Sequence, residues 1–155
     1  MNMKIFLYNI ITFILSVNTC SPQSTNELSN MIIESMKKHI VQMEQQIEKG
    51  VLTKTYLEKI VFLKDNFPED FPFQETMEKM GINFFEESQY SRAELKAGIN
   101  VFRLQSAILK NDTFTLTIVN YKLSKKNKRI FLYNCGGITY TYKYLCDTKQ
   151  WILKN

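Results

Sequence analysis

The apolar residues of this chain change their period partway along it. Leu28, Met31, Ile32, Met36, Ile40, Met43 and Ile47 recur every three or four residues, which sets them on one stripe of an α-helix. From Ile99 onward the spacing becomes two. Phe114, Leu116 and Ile118 alternate with Thr113, Thr115 and Thr117, the pattern of an antiparallel strand with one buried face. No single element satisfies both periods, so helices come first and strands follow. With 155 residues, 45% hydrophobic and 23% charged, the chain has room for one ordinary domain of class α+β.

The punctuation residues divide it further. Thr25 is placed to cap the first helix and Gly50 to end it after about seven turns. Thr53 can cap a second helix, with Leu57, Ile60, Val61, Phe62 and Leu63 as its buried side and Pro68 as its end. A short helix is expected over Gln74 to Met80. Ser91 can cap another over Arg92 to Ala97, before Gly98. Ile99 to Leu109 and Thr113 to Leu123 read as strands joined by a turn at Lys110-Asn111-Asp112. Ser124 to Lys128 reads as a polar loop. Arg129 to Cys135 and Ile138 to Cys146 read as a hairpin turning at Gly136-Gly137. Asp147-Thr148-Lys149 turns the chain into a last strand, Gln150 to Leu153. The expected architecture is N-terminal helices, one of them long, packed on a curved antiparallel sheet of four to five meandering strands, within a single domain at 27–155. This element order is similar to that of NTF2-like and cystatin-like domains. The tail Asp147-Thr148-Lys149-Gln150-Trp151-Ile152 resembles the last hairpin of many NTF2-like domains. The resemblance implies a fold and carries over no catalytic residue, because such folds host enzymes, ligand carriers and toxin-immunity proteins alike.

The opening stretch bears on location. Lys4 precedes an apolar run from Ile5 to Val17, followed by Asn18-Thr19-Cys20. The run is shorter than the roughly 20 residues of a membrane-spanning helix, and its layout is that of a secretory signal over 1–19. Leu15-Ser16-Val17-Asn18-Thr19-Cys20 resembles the lipobox of bacterial lipoprotein precursors, with Asn18-Thr19 in place of the usual small pair. That resemblance implies lipidation at Cys20, a polar tether over 20–26 and a place in the cell envelope. Ordinary cleavage and secretion is the alternative. A hairpin at Gly136-Gly137 would hold Cys135 and Cys146 roughly 26 Å apart at about 3.3 Å per residue, beyond the ~7 Å reach of a disulfide. Either the thiols stay free or that hairpin register is wrong, and the preferred reading is two small buried apolar side chains.

Charge is unevenly spread. Residues 20–89 carry a net −5 and residues 90–155 a net +9. An acidic helical layer beside a basic sheet explains this, and so does a basic face for an anionic partner. The densest basic cluster is Lys122, Lys125, Lys126, Lys128 and Arg129. It reads either as a solvated turn that blocks edge-to-edge strand pairing or as a contact surface for a protein or for anionic lipid head groups. Nucleic acid is not expected for an exported chain. Tyr140, Tyr142 and Tyr144 share one strand face, which Tyr121, Tyr133 and Trp151 can join if the strands align. Such rings suit a core packed on the long helix, a pocket wall for a small apolar ligand, or a partner groove.

Catalytic sets are missing from the pattern. Nucleophile–histidine chemistry would depend on the one histidine, His39, which follows Lys37-Lys38 and reads as a solvated helical residue. No spacing of cysteines and histidines suits a metal, and no glycine-rich phosphate loop or other cofactor motif is present. Glu69-Asp70 and Glu86-Glu87 are adjacent pairs that do not converge. Asn111-Asp112-Thr113 fits an N-glycosylation pattern, relevant to a eukaryotic secretory route. Three functions stay open: a non-enzymatic exported module that binds a protein, such as an immunity protein blocking a toxin; a small-ligand carrier or, less readily, an enzyme; and a structural envelope lipoprotein.

Overall fold

The computed structural model describes residues 25–154, with side chains from Glu27 onward. The expected leader, the capping side chain of Thr25 and the lipid acceptor Cys20 lie outside the described residues. Helix α1 runs Thr25–Glu48, so the last two residues of the expected tether are already helical. Five members of its apolar stripe, Met31, Ile32, Met36, Ile40 and Met43, are buried. Each such side chain contributes about 1.5–3 kcal/mol by leaving water. Gly50 adopts φ 72°. Its N–H bonds the carbonyl of Ile47, and the N–H of Val51 bonds that of Gln46. This paired closure is a Schellman motif, and its left-handed residue is the reason for a glycine there.

A second helix does not form. Thr53 is followed only by a 3₁₀ turn, Lys54–Leu57, and the expected helical face becomes strand β1, Val61–Phe62. The apolar run is wanted on two sides at once. Phe62 joins the main core, while Val61 and Leu63 join a second cluster with Leu95, Val101 and Leu123. A strand places successive side chains on opposite faces, and a helix cannot. Helix α2, Phe73–Met80, ends on Gly81 at φ 64°. Strand β2 is Asn83–Phe84. Helix α3, Arg92–Ala97, opens with a capping box: Ser91 Oγ accepts from the Glu94 N–H, and the Glu94 carboxylate accepts from the Ser91 N–H.

Long strands follow: β3 Ile99–Lys110, β4 Thr113–Lys126, β5 Arg129–Leu145 and β6 Gln150–Leu153. The fold is α+β as expected, but the curled sheet has six strands in the order β2-β1-β3-β4-β5-β6. It is mixed, because β1 runs parallel to both β2 and β3.

The hairpin lies elsewhere than Gly136-Gly137. β4 and β5 close on Asn127-Lys128, both at positive φ, a two-residue turn of the primed type that suits strand twist. The expected polar loop is therefore mostly strand. Gly136 and Gly137 sit inside β5 at a bulge. The register passes from Val119↔Gly137 to Tyr121↔Asn134, so Asn120 alone faces Cys135 and Gly136. A Cβ at Gly137 would stand 2.7 Å from the Ile118 carbonyl oxygen, and Gly136 has φ 105°. The glycines thus serve close approach and bulge geometry. The bulge also flips the parity of β5. Ile138, Tyr140 and Tyr142 face the same side as Phe131 and Tyr133, which pair with Ser124 and Lys122.

Candidate functional site

The tyrosine face is core. Tyr140 and Tyr142 are each 1% exposed and Tyr144 is buried. Trp151 packs on this cluster, 5.2 Å from the Tyr144 ring and 6.4 Å from Phe114. Tyr140 and Tyr142 belong to the core that includes the α1 stripe, and Trp151 is half-buried at its edge. Tyr121 does not join them. It has the opposite parity on β4, packs against the second cluster, and donates to Gln105 Oε1 at 3.0 Å.

Their hydroxyls meet the polar residues interleaved in the helix stripe. Tyr142 Oη lies 2.9 Å from Ser35 Oγ and 3.3 Å from the Met31 carbonyl. His39 is 0% exposed, which corrects the solvated reading. Its stripe neighbours Ile32, Met36, Ile40 and Met43 carry it inward, and sheet partners complete its bonding. Nε2 donates to Asn120 Oδ1 at 2.6 Å. The Tyr140 hydroxyl is shared between Gln42 Oε1 at 2.9 Å and His39 Nδ1 at 3.2 Å. Burial pushes the His39 pKa below its ordinary value, against a smaller upward pull from Asn120. Burial also raises Tyr142 to about 12, and lifts Tyr140 further. Enclosed on every side, with both ring nitrogens engaged by protein, His39 fixes helix against sheet and is not placed to exchange protons with a ligand. Sequence spacing could have revealed it: Ser35 and His39 are four apart and fall between the apolar positions of the stripe.

The basic cluster divides. Lys125, Lys126 and Lys128 line a cleft of about 700 Å³, together with Arg92 and Lys96 of α3, Glu87, Tyr90, Leu95 and Asn127. Lys122 lies outside it, in a separate groove with Lys59, Glu58 and Glu94. Arg129 pairs with Lys126 in the register but does not line the cleft. Arg92 and Lys96, which sequence reading did not single out, arrive because α3 packs Leu95 onto Val101 and Leu123. The capping box holds that short helix, and its carboxylate is kept below the ordinary range by the Ser91 hydrogen bonds. Lys125 forms an ion pair with Glu87. Arg92, Lys96, Lys126 and Lys128 form none among the described residues. Lys128 stands at φ 66°, a position where glycine is the ordinary choice.

Five cations against one carboxylate make a concave surface with a net charge near +4 by formal count. In water, two such charges ~10 Å apart repel by on the order of 0.4 kcal/mol, less with salt. The cluster is therefore inexpensive to maintain at a surface and attractive to anions, which meet several cations at once.

The cysteines also depart from expectation. Cys135 is exposed and free. Cys146 is exposed and disulfide-bonded. Cys135 lies in the β5 bulge opposite Asn120, and Cys146 follows the last residue of β5 at a turn. The third cysteine of the chain, Cys20, lies outside the described residues. Among the described residues no group of three or more His, Cys, Asp or Glu side chains could hold a metal ion, and no helix is long and apolar enough to cross a membrane. A scan against protein-family models, a search of curated proteins and a search of solved structures each gave no match.

Proposed function

We propose that this chain is an exported, non-enzymatic binding module that engages an acidic surface of a protein partner through the cleft between α3 and the β4–β5 turn. The observation that carries the reading is the meeting of Arg92 and Lys96 with Lys125, Lys126 and Lys128 around one concavity, four of them without an ion pair among the described residues. Charge of one sign gathered from two separate elements suits an anionic counterpart better than it suits a solvated turn. An immunity protein that blocks a toxin in the cell envelope is one concrete form of such a module. The pocket-carrier reading loses its support, since the rings proposed as its wall fill the core.

Export rests on the leader at 1–19, and membrane attachment on lipid at Cys20. Secretion without a lipid is the alternative, and the disulfide of Cys146 suits an oxidising compartment.

Co-purification from native envelopes tests the partner. At about 0.05 M salt, where surface charges are weakly screened, one dominant protein should accompany the wild type and be lost with Lys126→Glu/Lys128→Glu. Equal recovery by both would refute the cleft as the contact.

A further inference from the structure

We propose that the occupant of the basic cleft is an extended run of about four consecutive acidic residues on the partner, whose alternate carboxylates meet the two walls. This deepens the reading of the cleft as the partner's contact and rests on it.

The cations stand on two elements. Arg92 and Lys96 come from α3, and Lys125, Lys126 and Lys128 from the end of the β4–β5 hairpin. Arg92 and Lys96 are one helical turn apart, so their Cβ atoms lie about 5–6 Å from each other on one face. Lys125 already holds a carboxylate, that of Glu87, so carboxylate pairing is native to this site. The remaining cations have no ion pair among the described residues. Arg92 adds a guanidinium, whose paired N–H donors match a carboxylate. The α3 wall is held by the Ser91–Glu94 cap and by Leu95 in the second cluster. On the other wall, Lys128 places a side chain at φ 66°, a backbone position that glycine takes without strain.

Size and spacing select the shape. An α-helix is ~10–12 Å across and rises ~5.4 Å per turn, so one turn fills on the order of 500 Å³. The cleft, about 700 Å³, takes little more than that, and a helix brings a side chain to a given wall only once in each turn. An extended segment sends successive side chains to opposite sides, with about 6.6 Å between alternate ones. That spacing is close to the separation of Arg92 and Lys96. Consecutive acidic residues then set alternate carboxylates on α3 and on the hairpin end, one for each unpaired cation.

The purified protein is titrated at about 0.05 M salt, where screening is weak, with two end-blocked octapeptides of four glutamates and four glycines. One has the glutamates consecutive and the other has them alternating with glycine. A third peptide carries the consecutive block stapled as a helix. The free consecutive block should bind about tenfold tighter than either of the others, the worth of one charge-assisted contact. Lys96→Glu on one wall and Lys128→Glu on the other should each weaken it by at least that factor, and loss on one wall alone overturns the two-sided seating. Equal or tighter binding by the alternating or the helical peptide, abolished by Lys126→Glu/Lys128→Glu, overturns the extended run and leaves the cleft reading intact. Failure of all three to bind at this salt overturns the cleft reading as well. Tighter binding of pentathymidylate, whose four phosphodiesters carry the same charge, overturns the acidic segment in favour of a phosphate chain.

Discussion

Lowering the pH from 7.5 to 5.5 should destabilise this protein through one side chain. His39 is the single histidine, is fully buried, and has its pKa pushed below 6.5 by burial. The unfolded chain, with an ordinary histidine, takes up a proton near pH 6.5 while the folded chain resists it. Below that point the unfolded state binds more protons, so stability falls as pH falls. The contribution is fully present above pH 6.5. It is lost by up to about 1.4 kcal/mol per pH unit until the folded histidine also protonates. One unit down, at pH 5.5, the loss is at most on the order of 1.3 kcal/mol. Glu94, whose pKa is lowered, loses its contribution only below the ordinary carboxylate range, outside this window. The assay is urea unfolding at pH 7.5, 6.5 and 5.5, with wild type and His39→Gln compared at each pH and the disulfide left intact. The slope with urea should stay constant and the wild-type midpoint should fall more steeply than that of the variant. His39→Gln should be less stable at pH 7.5 by about 1–3 kcal/mol, since Asn120 or Tyr140 loses its bond in a buried site. Parallel pH dependences in the two proteins would refute the sealed, neutral histidine.

Three further outcomes follow from the packing. Ser91→Ala removes the capping box of α3 and should cost about 0.5–2 kcal/mol in chemical denaturation, while loosening the positions of Arg92 and Lys96. Gly137→Ala forces a Cβ towards the Ile118 carbonyl oxygen at 2.7 Å. It should cost about 1–3 kcal/mol in the same assay, and an unchanged midpoint would contradict the bulge. Without reductant, maleimide should add once, at the exposed Cys135. Intact mass then reads the leader: acyl mass on an N-terminal Cys20 marks the lipid anchor, and a cleaved chain without it marks secretion.

Much of the architecture was legible because its signals are local. The α1 stripe, the glycines that end α1 and α2, the Ser91–Glu94 cap and the turn at Asn111 all write their geometry into neighbouring residues. What was not legible depends on distant partners. Ile60 to Leu63 reads as a helix face until two cores compete for its alternate side chains. Gly136-Gly137 reads as a turn because glycine permits both a turn and a bulge, and only the register with β4 decides between them. His39 reads as solvated beside two lysines, yet the stripe it belongs to faces Asn120 and Tyr140, 81 and 101 residues away. Three members of the basic cluster were visible as a run, Lys125, Lys126 and Lys128. Its completion by Arg92 and Lys96 required the packing of Leu95.

The contact surface itself can be read most directly by placing a photo-crosslinking residue at Asn127, inside the cleft, and a second at Ala107 on the exposed part of β3 as control. After irradiation in native envelopes, the account expects one dominant acidic protein attached at position 127, diminished by about 0.5 M salt, where the screening length falls to a few ångströms, and absent at position 107. Identical adduct patterns at the two positions, or a yield at 127 indifferent to salt, would contradict it.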